Sequence, residues 1–424
     1  MNIDIAYGKQ GLTIDVPDEN LVKILRMKDS PPVEDPVGET RRTIQAPTGS
    51  PPLTELARGK RSACVVVSDI TRPVPNTVIL PPILETLEEA GIPRDAITIL
   101  IGTGIHRPNE GDEMTELLGP DIPKRYRVVN HMGRDPESHV YLGETPIFKA
   151  PIHIDKRYID ADLKITTGLI EPHLMAGFSG GRKAVMPGIC AFETVCVLHG
   201  YEAMSHERSI EGVIDDNPVH EEMLYVAHKA RMDFMVNVTL NERREITGVF
   251  SGDLEAAHEE GVAFMRTQCG DTVDGPVDAV ITTSAGYPLD LTFYQVIKGM
   301  TAAQWVLKDG GVLIIAAKIA EGIGSAEFTK LMHETNTVDE FIGNISTPGY
   351  LVLDQWQFQK FCQVLVKHEV WLYSDGIDRE TQKNLFVTPL ESVEESITRV
   401  KERFGENARI AVIPEGPYVL AQCS

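Results

Sequence analysis

AITILIGTGIHRP, residues 96–108, sets the plan of this chain. A run of β-branched and aliphatic residues reads as a buried strand. It ends in Gly102, Thr103, Gly104, His106, Arg107 and Pro108, a polar and conformationally permissive tip. CVVVSD (64–69), followed by Thr71, Arg72 and Pro73, has the same form, and so do DLKITTGLIEPH (162–173), DAVITTSAGYP (278–288) and GGVLIIAAKIAEG (310–322). Helices are expected between such strands, over about 77–90 ending at Gly91, near 111–118, and starting within 289–299. Apolar strands with polar carboxyl ends and helices between them make a largely parallel α/β sheet. Ligands in such sheets sit beyond the carboxyl ends of the strands, so these tips are candidates for one shared crevice.

At 424 residues, with 42% hydrophobic residues, the chain is expected to form two domains, or one large one, with true cores. The glycine-proline punctuation in CGDTVDGPV (269–277) marks a boundary. The expectation is an N-terminal α/β domain over 1–270, a second over 275–404, and a strand-like tail over 405–424 that packs back on the first. Residues 2–7 and 12–15 alternate as a hairpin around Gly8 and Gly11, and 18–60 is polar and proline-rich with one helix near 51–59. A net charge of −22 argues against broad nucleic-acid binding and requires a locally positive site for any anionic substrate. No stretch reaches membrane-spanning length, and the first twenty residues show no export pattern, so a cytoplasmic protein is expected. Six scattered cysteines without a C-x-x-C read as reduced thiols.

EPHLMAGFSGGRKAVMPGICAFETVCVLH, residues 171–199, concentrates chemistry. Gly177, Gly180, Gly181 and Gly188 allow close backbone approach. Ser179-Gly180-Gly181-Arg182-Lys183 has the composition of an anion cradle but fits neither the Walker A nor the dinucleotide spacing. Lys183 could be a surface charge or a nucleophile that carries a covalent group. His106 and His173, each after a strand, are candidate general bases, although a lone histidine is more often structural. Asp69-Ile70-Thr71-Arg72-Pro73 could hold a phosphate or grip a carboxylate, or be an ordinary loop with an ion pair. His199, with His106 and His173, does not match a zinc site held by protein ligands alone. A metal here would draw most of its donors from elsewhere; one imidazole with soft donors suits nickel or copper. In the second domain, Tyr294 and Lys298 share a helix face beside Gln295, and Asp354-Gln355-Trp356-Gln357 could cap a cleft, although Trp356 also reads as core.

Taken in order, SDITRP (68–73), GTGIHRP (102–108), EPHLMAGFSGGRKAVMPG (171–188), His199 and SAGYPLDLTFYQVIKG (284–299) resemble the nickel-dependent lactate racemase family of 2-hydroxyacid racemases and epimerases. The resemblance implies two α/β domains with the active site in the cleft between them. It implies nickel held in a pincer nucleotide, a pyridinium mononucleotide whose sulfur-bearing arms hold the metal. Lys183 matches the lysine that carries this group and His199 the remaining nickel ligand. His106 and His173 match the acid/base pair. Arg72 and Lys298 match groups that bind the substrate carboxylate or nearby polar groups, with Tyr294 and Gln295 lining the same pocket; Trp356, outside the matching motifs, is a further candidate for substrate contact from its place in the run that could cap the cleft. Asp69, Thr71, Ser179, Gly180, Gly181 and Arg182 fall near the nucleotide's ribose-phosphate. Maturation proteins that build the cofactor are implied as partners.

The chemistry is coherent. A hydroxyacid Cα–H is a very weak acid, whereas hydride removal with loss of the hydroxyl proton gives a planar keto acid. Two histidines then serve the two enantiomers. The resemblance implies a small 2-hydroxyacid of lactate type as substrate, with malate or a larger hydroxyacid as the alternative. Two rival classes remain: a Schiff-base or pyridoxal-phosphate enzyme using Lys183, and a non-catalytic protein that binds an anion or nucleotide.

Overall fold

A computed structural model describes residues 1–424, which divide into two compact units. One comprises Asp29–His199 and His206–Gln268; the other Met1–Lys28, Gly200–Ser205 and Cys269–Ser424.

The first unit is built on a six-stranded sheet in the order Ile246–Gly252, Phe234–Leu240, Leu163–Leu169, Ala63–Ser68, Ile97–Gly102, Arg127–Asn130. The first pair is antiparallel and the others are parallel. From Ala63–Ser68 the chain steps outward through Ile97–Gly102 to Arg127–Asn130, then returns to the other flank at Leu163–Leu169. The direction of winding therefore reverses between Ala63–Ser68 and Leu163–Leu169, the place in such sheets where ligands bind beyond the carboxyl ends. Cys64, Val65, Val66 and Val67 are all buried, as expected of a central strand covered on both faces. Helix Asn76–Glu89 lays Ile79, Leu80, Ile83, Leu84 and Leu87 into the same core as Val65, Val67, Ile99, Ile101 and Ile165. Each such side chain, fully buried, contributes roughly 1.5–3 kcal/mol. The helix stops at Ala90, whose N–H donates to Thr86 O, and Gly91 follows at φ +97°.

The second unit carries an all-parallel sheet in the order Thr388–Pro389, Glu369–Tyr373, Leu307–Ala316, Val277–Thr283, Ile410–Ile413, Leu21–Ile24. The hairpin Asn2–Ile5/Leu12–Asp15 is present, with Gly8 and Gly11 both at positive φ, and Ile3, Ile5 and Ile14 join the core of this unit. Two expectations change here. The tail does not return to the first unit, because Ile410–Ile413 inserts between Val277–Thr283 and Leu21–Ile24. Residues 1–28 likewise belong to this unit, since Leu21–Ile24 closes the edge of its sheet. Within 18–60, besides the expected helix (Leu53–Ala57), there are this edge strand and a helix Pro36–Gln45 capped by Asp35. The chain passes from one unit to the other between Gln268 and Cys269, and Gly200–Ser205 is a small excursion into this unit, tied by Gln359 Nε2 to Tyr201 O (3.0 Å) and by Gln363 Nε2 to Met204 O (3.0 Å).

Helix Phe293–Ala303 crosses the carboxyl end of Val277–Thr283 at Gly299, where an added Cβ would lie 2.3 Å from Thr283 O. Helix propensity alone favours alanine there by about 1 kcal/mol. The steric conflict outweighs it, so Gly299→Ala is expected to lose roughly 1–3 kcal/mol in chemical denaturation. A variant as stable as the parent, or more so, would contradict this packing.

Candidate functional site

At the carboxyl end of Ala63–Ser68 the chain turns through Asp69, which is buried. Its Oδ1 accepts from Thr71 Oγ1 (2.6 Å) and Thr71 N (3.2 Å). Its Oδ2 accepts from His106 Nδ1 at 2.7 Å, across from the neighbouring strand end. Burial pushes the Asp69 carboxyl up, but His106, Thr71 and Arg72 together offset this and leave it below its ordinary value. An ionised Asp69 fixes the His106 proton on Nδ1 and turns Nε2 into an acceptor. The His106 ring is otherwise exposed, at 57% of its side-chain surface. His106 thus has the orientation of a general base held by a carboxylate. The sequence alone did not give Asp69 this part; it suggested only a phosphate contact.

At the adjacent strand end, Leu163–Leu169 leads into a two-residue β pairing of Pro172–His173 with Gly177–Phe178. Ser179 closes it: Ser179 Oγ donates to Leu169 O (2.6 Å) and accepts from Glu171 N (3.0 Å). His173 Nδ1 accepts from Met175 N and Ala176 N, both at 3.4 Å, which places the proton of the neutral ring on Nε2. The two histidines are therefore held in opposite tautomers. Arg72 Nε lies 3.9 Å from Glu171 Oε1, so the Asp69 turn and the segment leading into the His173 hairpin come close together.

The loop that follows is organised by packing. Gly180 and Gly181 are at positive φ. A Cβ on Gly180 would lie 2.5 Å from Asn237 Oδ1, and one on Gly181 would lie 3.0 Å from His258. Gly181 N donates to Asn237 Oδ1 (2.6 Å). Arg182 was expected to face an anion. Instead its guanidinium turns inward, 1% exposed, donating from Nη2 to Ala176 O (2.7 Å) and Phe178 O (2.9 Å), with Nη1 lying 2.9 Å from His258 Nε2, which is also 2.9 Å from Ser179 O. Desolvation pulls its pKa down to about 9. Arg182 and Ser179 thus hold the loop in shape from within, and the next residue, Lys183, sits partly buried in the short helical turn Gly181–Ala184.

His199 ends helix Phe192–Leu198, and its Nδ1 donates to Val195 O (2.9 Å). Desolvation, then the Lys183 ammonium and His106, push its pKa down to about 4. At neutral pH it is an uncharged imidazole whose lone pair is on Nε2, the form that binds metals. Lys183 and His106 act electrostatically on His199, so these three groups share one neighbourhood. The molecule holds no cluster of three or more His, Cys, Asp or Glu side chains suited to a metal ion.

The remaining candidates lie on the second unit. Thr292 caps helix Phe293–Ala303, which carries Tyr294, Gln295 and Lys298. Trp356 is buried, and its indole N–H donates to Tyr294 Oη (3.1 Å) while Gln357 Nε2 donates to Tyr294 O (2.9 Å). Trp356 therefore fixes Tyr294. The Gln295 Oε1 atom is buried without a hydrogen-bond partner.

The lactate racemase N-terminal domain matches residues 7–212 and the lactate racemase C-terminal domain matches 272–421. The lactate racemases of Thermoanaerobacterium thermosaccharolyticum and Lactiplantibacillus plantarum are 35% and 36% identical to this chain, each alignment covering 99% of both sequences. The lactate racemase apoprotein structure from T. thermosaccharolyticum superposes with a TM-score of 0.94 over the whole of both chains. A Thermotoga maritima protein, 19% identical with a TM-score of 0.69 and covering 94% of this chain and all of its own, shares the fold. The chain is thus an isomerase of the racemase class. It belongs to the lactate racemase family.

Three buried or partly buried imidazoles respond to acid. Desolvation and then the Lys183 charge lower His199 to about 4; desolvation and then Arg182 lower His220 to about 3, and the same two causes hold His258 well below its ordinary value. Each takes up a proton near pH 6.5 when unfolded but only at lower pH when folded. The stability they confer is complete above pH 6.5 and is lost as pH falls toward 4, at up to ~1.4 kcal/mol per pH unit per group. The melting temperature is expected to fall between pH 6.5 and 4.5, with a shallower slope in His258→Gln. Equal slopes would contradict the buried Arg182–His258 contact as their source.

Proposed function

We propose that this chain interconverts the enantiomers of lactate, or of a small 2-hydroxyacid like it. The observation that carries this is the pair of imidazoles in opposite tautomers at the crevice. His106 Nε2 is set as an acceptor by Asp69, and His173 Nε2 carries its proton because Nδ1 accepts from the backbone. Such a pair can take the hydroxyl proton of one enantiomer and return a proton to form the other.

The chain's donors fit the nickel-pincer nucleotide of the family. Lys183 offers an amine for covalent attachment, and His199 offers a neutral imidazole without a protein-only ligand set around it. A metal at His199 would then take its other donors from the nucleotide, whose soft sulfur arms suit nickel. When bound, that group would accept a hydride from the substrate Cα and return it. The protein's own part is to bind, orient and move the hydroxyl proton. Arg72 is the cation proposed to grip the carboxylate, an arrangement that fixes the acid while its carbonyl changes face. Lys298, Gln295 and Tyr294, with Trp356 behind Tyr294, are proposed to contact substrate. Asp69, Thr71 and the Ser179–Arg182 loop act by holding His106 and Lys183 in place. Maturation proteins are proposed as the source of the cofactor.

The test is the chain produced with cofactor-building enzymes and assayed on a panel running from lactate to malate and aryl hydroxyacids. Lactate is expected to racemise fastest, the peptide bearing Lys183 to carry added mass, and Lys183→Ala to lose both the mass and the turnover. Adduct-bearing protein that racemises no 2-hydroxyacid would overturn the proposal.

A further inference from the structure

We infer that Asn130 and His131, at the end of the edge strand Arg127–Asn130, are positioning residues that lock the His106 loop and the turn after Lys183 into one register. The catalytic consequence rests on the function proposed above; the structural one does not.

His106 lies midway along a loop stitched at both ends to this pair. At the start, Thr103 Oγ1 donates to His131 O (2.7 Å), and His131 N donates to Ile101 O (2.9 Å). At the end, Asn130 and Asn109 exchange two bonds, Asn109 N to Asn130 Oδ1 (2.9 Å) and Asn130 Nδ2 to Asn109 O (3.0 Å). Asn109 Oδ1 in turn accepts from Ile70 N (3.2 Å), so the Asp69 turn is tied to the same anchor. Both partners of the Asp69–His106 hydrogen bond are therefore referred to Asn130.

The His131 side chain works in the other direction. Its ring is 1% exposed, with Nε2 3.0 Å from Cys190 O and Nδ1 3.1 Å from Asp155 Oδ2. Both neighbours are acceptors, so making both bonds requires the ring to donate from both nitrogens. Asp155 is fully buried and also accepts from Arg157 Nε (2.8 Å), while Arg157 Nη2 donates to Asn130 O (3.1 Å). Asp155 N donates to Ile189 O (3.1 Å), and Gly104 N donates to Gly188 O (2.9 Å). The turn 188–190 closes the segment that begins at Lys183, where Gly188 N donates to Lys183 O (3.3 Å). One buried hub thus fixes the base-bearing loop against the lysine-bearing loop. Such a network resists small displacements because any shift leaves buried polar atoms unpaired.

A role confined to folding would lower stability without favouring any one bond. Positioning has a bond-specific signature. Glutamine at 131 can place a donor near the Nε2 position and keep the Cys190 bond; asparagine can place one near Nδ1 and keep only the Asp155 bond. In loaded enzyme, His131→Asn is expected to lose kcat roughly tenfold or more with KM within about threefold, as a displacement of order 1 Å costs up to ~10²-fold. His131→Gln is expected to retain kcat within about threefold of the parent, because the loop-to-loop tie survives. In the apoprotein, hydrogen exchange should quicken at 103–109 and 188–191 in His131→Asn, and at 103–109 in Asn130→Ala, with strand Phe234–Leu240 unchanged. The Asn130→Ala variant, which leaves the buried His131–Asp155 contact in place, carries the test if His131→Asn does not fold. Equal kcat losses in His131→Gln and His131→Asn, or unaltered exchange at those segments in the folded variants, would overturn the inference. The exchange result is independent of whether the protein racemises anything.

Discussion

The hydrogen bond from His106 Nδ1 to Asp69 Oδ2 is the contact on which the site depends. It joins the carboxyl ends of two adjacent parallel strands, Ala63–Ser68 and Ile97–Gly102. A buried carboxylate on one side and an exposed imidazole on the other give the ring a fixed tautomer and a fixed direction. Nothing in the loop sequence GTGIHRP enforces this alone. The sheet brings the two tips together, Thr71 occupies the other carboxylate oxygen, and Asn109 secures the Asp69 turn. The winding reverses beside Ala63–Ser68, and the hairpin bearing His173 arrives there from Leu163–Leu169.

Charge is arranged sparingly around this contact. The chain carries a net charge of −22, yet the loop after His173 contains consecutive cations that behave differently. Arg182 is withdrawn into the core, where two carbonyls accept from Nη2 and His258 lies against Nη1 while Nε is left without a hydrogen-bond partner, and its pKa is pulled down by desolvation. Lys183 lies in the next position of the same turn and acts on His199. Burying a guanidinium without a carboxylate costs free energy that an ion pair would offset. What it gains is a loop whose carbonyls are fixed and whose neighbouring imidazoles stay neutral.

Strands were legible because apolar runs with polar tips recur, and five such runs are strands here. His106 and His173 stood out as candidates because they follow strand tips, and Lys183 because it sits in the glycine-rich loop; His199, at the end of helix Phe192–Leu198, gained a role only through the resemblance. Direction was not: the composition of Ser179–Arg182 is the same whether the guanidinium faces a ligand or the core. Nor was strand partnering, since parallel neighbours are distant in sequence; Leu21–Ile24 and Ile410–Ile413 join one sheet from opposite ends of the chain. His131 was overlooked because Arg127–Asn130 is a short, half-exposed edge strand. RVVNH nevertheless repeats the strand-then-polar pattern of the others, and that signal would have found it.

The central claim is that Asp69 makes His106 a directed base. It is tested by Asp69→Asn in protein whose Lys183 adduct is confirmed at parental occupancy. The account predicts a fall in kcat of roughly 10²- to 10⁴-fold, with the binding of substrate little changed, since the amide leaves the shape but not the charge that sets the tautomer. Turnover of the asparagine variant within about twofold of the parent, against that expected loss, would contradict it.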